Sequence, residues 1–383
     1  MRVAMLTSYP PMRCGIGDHV HELAPYLVAN GAKLRILTYD ECEGAVGEIP
    51  GVQVERSLDR RGTPWALART LRQALGQSDV LAWQSEMFLH PRAFQLAAPL
   101  LPRHAPLVPL VHDAPRSHRL FHVTPFLRAL YHRADLLITH SAVTTATLVD
   151  HHHVDLTRIR QVPLGVDTDR FSPTKRSLDA RRAAGWGDED IVVLQLGFIN
   201  RGKGIFTLLE AFHRALATRP HLRLVIAGDD VPPGVIGGTS SGDIAALRSR
   251  AAELGIAERV SFPGYVPDRD VPAWLASADV VALPYEFSYQ SAALAKAMGA
   301  GACILATDIP SFSAWIHHER EALLVPVRDV TATADALGRL ADDEGLRTRL
   351  KAAAAAEARR NHDMAEVAKR LVAVFEEART SKR

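Results

Sequence analysis

"IVVLQLGFINRGKGIFTLLEAFHRAL", residues 191–216, joins two patterns through one turn. Residues 191–197 are a run of strand length, apolar apart from Gln195 and ending in Gly197, and residues 205–216 repeat apolar side chains at helical spacing. The turn between them holds two more glycines, Gly202 and Gly204, and two cations, Arg201 and Lys203. A strand that feeds a helix through a glycine turn is half of a βαβ unit, the building block of parallel sheets. The class is therefore α/β, with right-handed crossovers.

The same alternation extends in both directions. Downstream, "LRLVIAG" (222–228), "RVSFPGY", "DVVALPY" and "CILATD" read as strands, with "DIAALRSRAAELG", "VPAWLAS" and "QSAALAKAMGAG" as helices between them. The tail from "TATADALG" onward reads as helices only. Upstream, the strands are "RVAMLTS", "KLRILTY", "DVLAW" (79–83), "PLVPLVHD" (106–113) and "DLLITHS" (135–141). In "HVHELAPYLVANG", Val20, Leu23, Ala24, Leu27 and Val28 keep helical spacing, Pro25 threatens a kink, and Gly31 is a stop. The segment 162–190, rich in turn formers and charge, reads as a linker. The expected domains are 1–170 and 190–362, with residues 363–383 as a final helix. Open parallel sheets bind ligands beyond the carboxyl ends of their strands, so the two rims are expected to face each other across a cleft.

Composition agrees with two cores. A chain of 383 residues implies two domains of roughly 150–200 residues each. Hydrophobic content of 47% and charge of 23% describe a soluble globular protein. A net charge of +2 argues against nucleic acid as a partner. Cys14, Cys42 and Cys303 lack metal or disulfide spacing and suit a reducing compartment. The opening "MRVAMLTSYPP" reads as a first strand rather than a signal peptide. No window reaches the ~18 apolar residues of a membrane span. The expected location is the cytoplasm.

Four places carry candidate chemistry. In "CGIGDH" (14–19), Gly15 and Gly17 lie between strand and helix, where backbone amides and the helix end attract an anion. The bland alternative is a glycine turn needed only for geometry. In the opening stretch, Arg201 and Lys203 precede a helix, and their charges suit a diphosphate; the alternative is a solvated basic turn. In "VHDAPRSHRLFH" (111–122), His112 directly follows a strand, and Asp113, Arg116 and His118 follow it. A lone histidine is more often structural. Asp167 and Asp169 in "GVDTDRF" read as turn and cap residues rather than metal ligands.

Taken in order, the motifs resemble one family over nearly the whole chain. They are the "GIG" loop, "VHD", "ADLLITHS", "VPLGVDTDRFSP", "GFINRGKG", "IAGDD", "ERVSFPGYVPD", "ADVVALPYEFSYQSAALAKAMGAG", "ATDIP" and "EALLVPVRD". The series is similar to the retaining, nucleotide-sugar-dependent family-four glycosyltransferases of the GT-B fold. That resemblance implies two Rossmann-like domains, with the last helix returning to the first. It also implies a donor site on the second domain. Many relatives carry two glutamates eight residues apart in the second-domain turn, and aligned on "KAMGAG" these fall on Ser288 and Lys296. Phe198 stands where many relatives place an arginine. The turn looks more like a branch that reads "PY", a few residues, then "QS" and small residues. There Gln290, Ser291 and the helix amides are expected to bind phosphate, and Glu286 is the candidate substitute carboxylate.

The implied reaction moves a sugar from a nucleotide-diphosphate sugar to an acceptor hydroxyl with retention. His112 would contact the donor sugar or reaction centre, and Gly15 and Gly17 would line the diphosphate and acceptor side. No metal or other cofactor is expected, because Lys203, Arg201 and helix dipoles supply the positive potential. The alternatives are a non-catalytic nucleotide-sugar-binding protein, or a nucleotide-sugar epimerase or phosphorylase on the same fold. Basic and aromatic residues from Arg116 to Arg133 suit either a lipid surface or a small polar acceptor.

Overall fold

The computed structural model describes residues 1–12, 14–40, 47–59, 61–86, 92–103, 106–114, 124–172, 181, 185–230 and 242–381. The chain divides into two compact units, Met1–Gly165 with Met364–Arg383, and Val166–Asp363.

The first unit is built on seven parallel strands: β1 (Arg2–Leu6), β2 (Lys33–Tyr39), β3 (Val52–Leu58), β4 (Val80–Ser85), β5 (Leu107–Val111), β6 (Leu137–Thr139) and β7 (Ile159–Gln161). Their order is β3-β2-β1-β4-β5-β6-β7. Val3 pairs with Leu34 on one side and Val80 on the other. β4 and β5 are buried throughout, as strands covered on both faces must be; β5 is apolar from end to end, and β4 is apolar up to the buried Gln84 and Ser85 at its carboxyl end. The helix Gly15–Ala29 runs through Pro25 and buries Val20, Leu23, Ala24 and Leu27. Those side chains share a core with Val367, Leu371, Phe375 and Ala378 of the final helix, Met364–Thr380. The last helix therefore belongs to the first unit. Arg160 of β7 pairs with Glu377 of that helix.

The second unit has six parallel strands: β8 (Ile191–Leu196), β9 (Leu222–Ala227), β10 (Val260–Ser261), β11 (Val280–Leu283), β12 (Ile304–Thr307) and β13 (Ala322–Val325). Their order is β10-β9-β8-β11-β12-β13. The helix Ile205–Leu216 contributes Ile205, Leu208, Leu209 and Phe212 to a core shared with Leu337 and Leu340 of the helix Val330–Asp342. Full burial of each such side chain is worth about 1.5–3 kcal/mol.

Both sheets are doubly wound, and in each the strand order reverses beside the first strand. The switch points lie between β1 and β4 and between β8 and β11. Crevices for ligands open there, at the carboxyl ends. Part of the expected linker is fastened into the second unit. Arg181 is fully buried and donates to the Ser277 carbonyl at 2.8 Å and to Asp279 at 3.0 Å. Asp167 closes a turn, its Oδ1 accepting from the amides of Asp169 and Arg170 at 3.2 and 2.9 Å. Among the described residues, no helix is long and apolar enough to cross a membrane.

Candidate active site

At the second switch point the turn after β8 meets the turn after β11. Gly197 leaves β8 with φ +117°, and Ile199 donates its amide to the Asp229 carbonyl at 2.9 Å. One tight helical turn, Arg201–Lys203, follows and ends at Gly204, whose φ is +63°. A Cβ on Gly204 would lie 1.8 Å from the Pro284 carbonyl oxygen. Only glycine permits this approach. A second tie crosses the same gap, from the Glu286 amide to the Gly202 carbonyl at 2.9 Å.

The contact decides where Lys203 goes. Its Nζ stands 3.6 Å from the centroid of the Tyr285 ring, a distance at which a cation is attracted to the ring face. Tyr285 is itself buried, packed on Phe312, and its carbonyl accepts from Thr307 Oγ1. Among the described residues Lys203 makes no ion pair. The neighbouring cation behaves differently. Arg201 is 79% exposed and lies 3.4 Å from the buried carboxylate of Asp243, with its guanidinium over Phe206. The structure therefore does not aim both cations at one point.

Two helix N-termini open on the same rim. The helix Ile205–Leu216 starts after Gly204 with no side-chain cap. The helix Ala292–Gly299 is capped by Ser291, whose buried Oγ accepts from the Leu294 amide at 3.1 Å. Ala292 and Ala293 then keep amides without an intrahelical acceptor, as the first turn of any helix does. The Ser291 hydroxyl proton is still available to a ligand, because the cap uses only a lone pair. Ser288 Oγ donates to the Gln290 carbonyl at 2.5 Å and stiffens the turn.

The charged neighbours are mutually paired. Glu286 turns its carboxylate to Arg328 at 2.5 Å. Lys296 pairs with Asp268, and Asp268 also binds Arg170 at 2.7 Å. Phe198 faces Tyr265, with ring centroids 6.2 Å apart. Among the described residues no group of three or more histidine, cysteine or acidic side chains gathers as a metal site.

In the first unit the corresponding switch point holds the glycines. Both Gly15 and Gly17 lie inside the first helix rather than in a loop before it. The difference has a physical cause: Cys14 is already the extended cap residue, so helical geometry begins one residue later. Gly15 has open space around its Cα, whereas a Cβ on Gly17 would sit 3.1 Å from Ser8. Gly17 is thus a packing glycine, and Gly15 is the exposed first residue of a helix without a side-chain cap. Further along the same rim, His112 follows β5 and is buried, with Nε2 2.5 Å from Gln84 Oε1. His140 follows β6, its ring centroid 4.9 Å from that of His112. Arg116 and His118 lie outside the described residues.

Sequence reasoning missed Tyr285, Asp268, Gln84 and His140. The signal for His140 was present: it ends an apolar strand run, as His112 does. Asp268 gave no signal, because its meeting with Lys296 is tertiary.

Comparison with known proteins bears on both units. The model described as "Glycosyltransferase Family 4" matches residues 14–170, and that described as "Glycosyl transferases group 1" matches residues 190–343. A D-inositol 3-phosphate glycosyltransferase of Nocardioides sp. is 31% identical over 410 residues, covering 94% of this chain and 86% of the relative. The enzyme of the same name from Streptomyces scabiei is 34% identical over 251 residues, 64% of this chain and 54% of the relative. This chain spans about half the length of several such relatives. Among solved structures, sucrose-phosphate synthase from Thermosynechococcus elongatus superposes with a TM-score of 0.81 at 16% identity, over 100% of both chains. The Anabaena HepE protein in complex with UDP gives 0.78 at 16% identity, over 98% of this chain and 100% of that one. At such identity these two share the fold. With both halves matched in order and one relative aligned over most of its length, the chain belongs to the family 4, group 1 glycosyltransferases.

Proposed function

We propose that this protein transfers a sugar from a nucleotide-diphosphate sugar to an acceptor hydroxyl, with retention at the anomeric carbon. The observation that carries the reading is Lys203. It is a cation without a carboxylate partner among the described residues, held over a neutral ring at a switch point where two helix N-termini open. Such a place favours a diphosphate. Gln290, Ser291 and the amides of Ala292 and Ala293 complete its coordination, with Arg201 at the outer edge.

In the step itself the acceptor oxygen bonds to the anomeric carbon as the bond from that carbon to the diphosphate breaks. The hydroxyl proton passes to the departing phosphate oxygen. Charge grows on the diphosphate, where Lys203 and the helix amides already stand, so their stabilisation is greatest in the transition state. His112 contacts the sugar at the reaction centre, and the first-helix amides at Gly15 line the acceptor side. Uridine is the first base to try, since HepE was solved with UDP and with UDP-glucose. A cyclitol phosphate is the first acceptor to try, from the names of the relatives. No metal enters this reading.

Lys203→Ala tests it. Turnover falls on the order of 100-fold or more in a folded variant. A chelator leaves wild-type turnover unchanged. A folded Lys203→Ala protein with near wild-type turnover overturns the assignment. A second reading, nucleotide-sugar binding without catalysis, is favoured by one observation: Glu286 and Asp268 are each tied to cations. Free nucleotide and a glycosylated acceptor among the products would exclude it.

A further inference from the structure

Arg328 stands in the turn that leads from β13 into the helix Val330–Asp342. The Asp329 amide donates to the Pro326 carbonyl at 3.3 Å, so Arg328 is the third residue of a β-turn. Its φ is +62°, the left-handed value that calls for glycine at this position. A residue with a Cβ strains the backbone there. Asp329, next along, is committed to the helix, its Oδ1 accepting from the Ala332 amide at 2.8 Å.

The arginine head crosses instead to the turn after β11. Its Nη2 donates to Glu286 Oε2 at 2.5 Å, 42 residues away in sequence. The Arg328 side chain is 72% exposed and that of Glu286 26%. An ion pair so open to water stabilises little, less than the left-handed backbone costs. Local energetics therefore do not explain an arginine at 328. Residues held in strained conformations gather at functional sites, where the strain serves something other than stability.

Glu286 lies on the second-unit rim. Its amide is tied to the Gly202 carbonyl at 2.9 Å, and it follows Tyr285, whose ring carries Lys203. The carboxylate turns Oε2 to Arg328, and among the described residues Oε1 has no hydrogen-bond partner. A carboxylate only accepts, so that oxygen is matched by a proton donor. The diphosphate of a nucleotide sugar has none to give; its hydroxyls do.

We propose that Arg328 is a positioning residue for Glu286: it fixes the carboxylate so that Oε1 accepts a hydroxyl of the bound nucleotide-diphosphate sugar. The inference rests on the reading of this rim as the donor site. With Oε2 held by the guanidinium, the carboxylate presents one oxygen in one direction, and its charge is balanced before the diphosphate arrives.

Calorimetry on the full chain with UDP and with UDP-glucose, then with the guanosine and adenosine pairs, tests this. Glu286→Ala should weaken UDP-glucose binding on the order of 10-fold, the size of one hydrogen bond to a charged group. The sign decides, because removing a carboxylate that only stood near a diphosphate would tighten binding. A loss confined to UDP-glucose assigns the hydroxyl to the transferred sugar, and an equal loss with UDP assigns it to the ribose. Arg328→Gly should give a similar loss, and the double variant no more than Glu286→Ala alone, since Arg328 acts through Glu286. Arg328→Lys, which keeps the cation, should recover most of the affinity. Arg328→Gly should also melt close to wild type, because the turn gains the residue its backbone calls for. Unchanged or tighter binding in Glu286→Ala overturns the proposal, as do additive losses in the double variant or a clear fall in the melting temperature of Arg328→Gly. Where the wild type binds a nucleotide sugar and the variants bind it equally well, this inference fails and the donor reading stands. A wild type that binds none of them sinks both.

Discussion

Gly204→Ala is the sharpest perturbation of the second-unit rim. The added Cβ would lie 1.8 Å from the Pro284 carbonyl oxygen. Carbon and oxygen rest at about 3.3 Å, so one turn must retreat by roughly 1.5 Å. The φ of +63° adds to this, since a left-handed conformation costs a non-glycine residue about 1–2 kcal/mol. The 2.9 Å bond from the Glu286 amide to Gly202 spans the same gap and is lost as the turns part, for about 1 kcal/mol more. Together these predict a fall in Tm of roughly 5–10 °C for a unit of this size. Lys203 rides on the displaced turn, and a shift of about 1 Å at a catalytic group costs on the order of 100-fold in rate. Thermal melts by circular dichroism, nucleotide calorimetry and turnover measure the three effects. Gly15→Ala is the control: its Cβ meets nothing within 4 Å, so its melting temperature should hold or rise. A Gly204→Ala protein with wild-type Tm and turnover would refute the reasoning, because it would mean that the two turns need not touch.

Three further outcomes are expected. Arg181→Met should destabilise the second unit by roughly 3–5 kcal/mol in urea melts, because it takes the buried guanidinium away from the Asp279 carboxylate and from the Ser277 carbonyl; a loss under about 1 kcal/mol would contradict this. Between pH 6.5 and about 4 the unfolded chain takes up a proton that buried His140 refuses, so stability is full above that window and falls with pH inside it, by up to about 1.4 kcal/mol per unit. His140→Phe should flatten this slope in denaturant titrations at pH 7.5 and 5, and an unchanged slope would place the titration elsewhere. Ser291→Ala should cost about 1 kcal/mol through the lost cap and weaken nucleotide binding, and Ser291→Thr should recover both; binding unaffected by Ala would remove the hydroxyl from the site.

The fold was legible wherever a strand is buried on both faces. β1, β2, β4 and β8 stand out as mostly apolar runs because nearly all of their residues are buried. β3 escaped for the opposite reason. "VQVERSL" is an edge strand, mostly open to solvent, whose Glu55 pairs with Arg35 at 2.6 Å instead of packing. β7 and β13 have three and four residues, too few for a period to show. The glycines tell a similar story. "GIG" and "RGKG" look alike as text, but Gly204 is demanded by a left-handed turn against Pro284, while Gly15 is demanded by nothing around it. Spacing cannot distinguish these cases, since the deciding contact comes from residues 80 positions away.

The departures at 288 and 296 can be read as electrostatics rather than as loss. A carboxylate beside a diphosphate repels it unless a cation intervenes. In this chain three acids near the second rim have cationic partners: Asp243 with Arg201, Glu286 with Arg328, Asp268 with Lys296 and Arg170. These pairs largely cancel one another's fields at a distance. What is left is Lys203, whose nearest described partner is the face of a neutral tyrosine, and the amides of two helix ends. Phe198, packed on Tyr265, then needs no arginine's charge to be replaced, because fewer negative charges have to be offset. Lys296 in place of an acid fits the same balance: it adds a positive charge, and Asp268, brought from the loop after β10, returns a carboxylate to the position. On the proposed reading the positive potential for a departing diphosphate rests chiefly on Lys203, so its removal should cost more than that of any other charge on this rim.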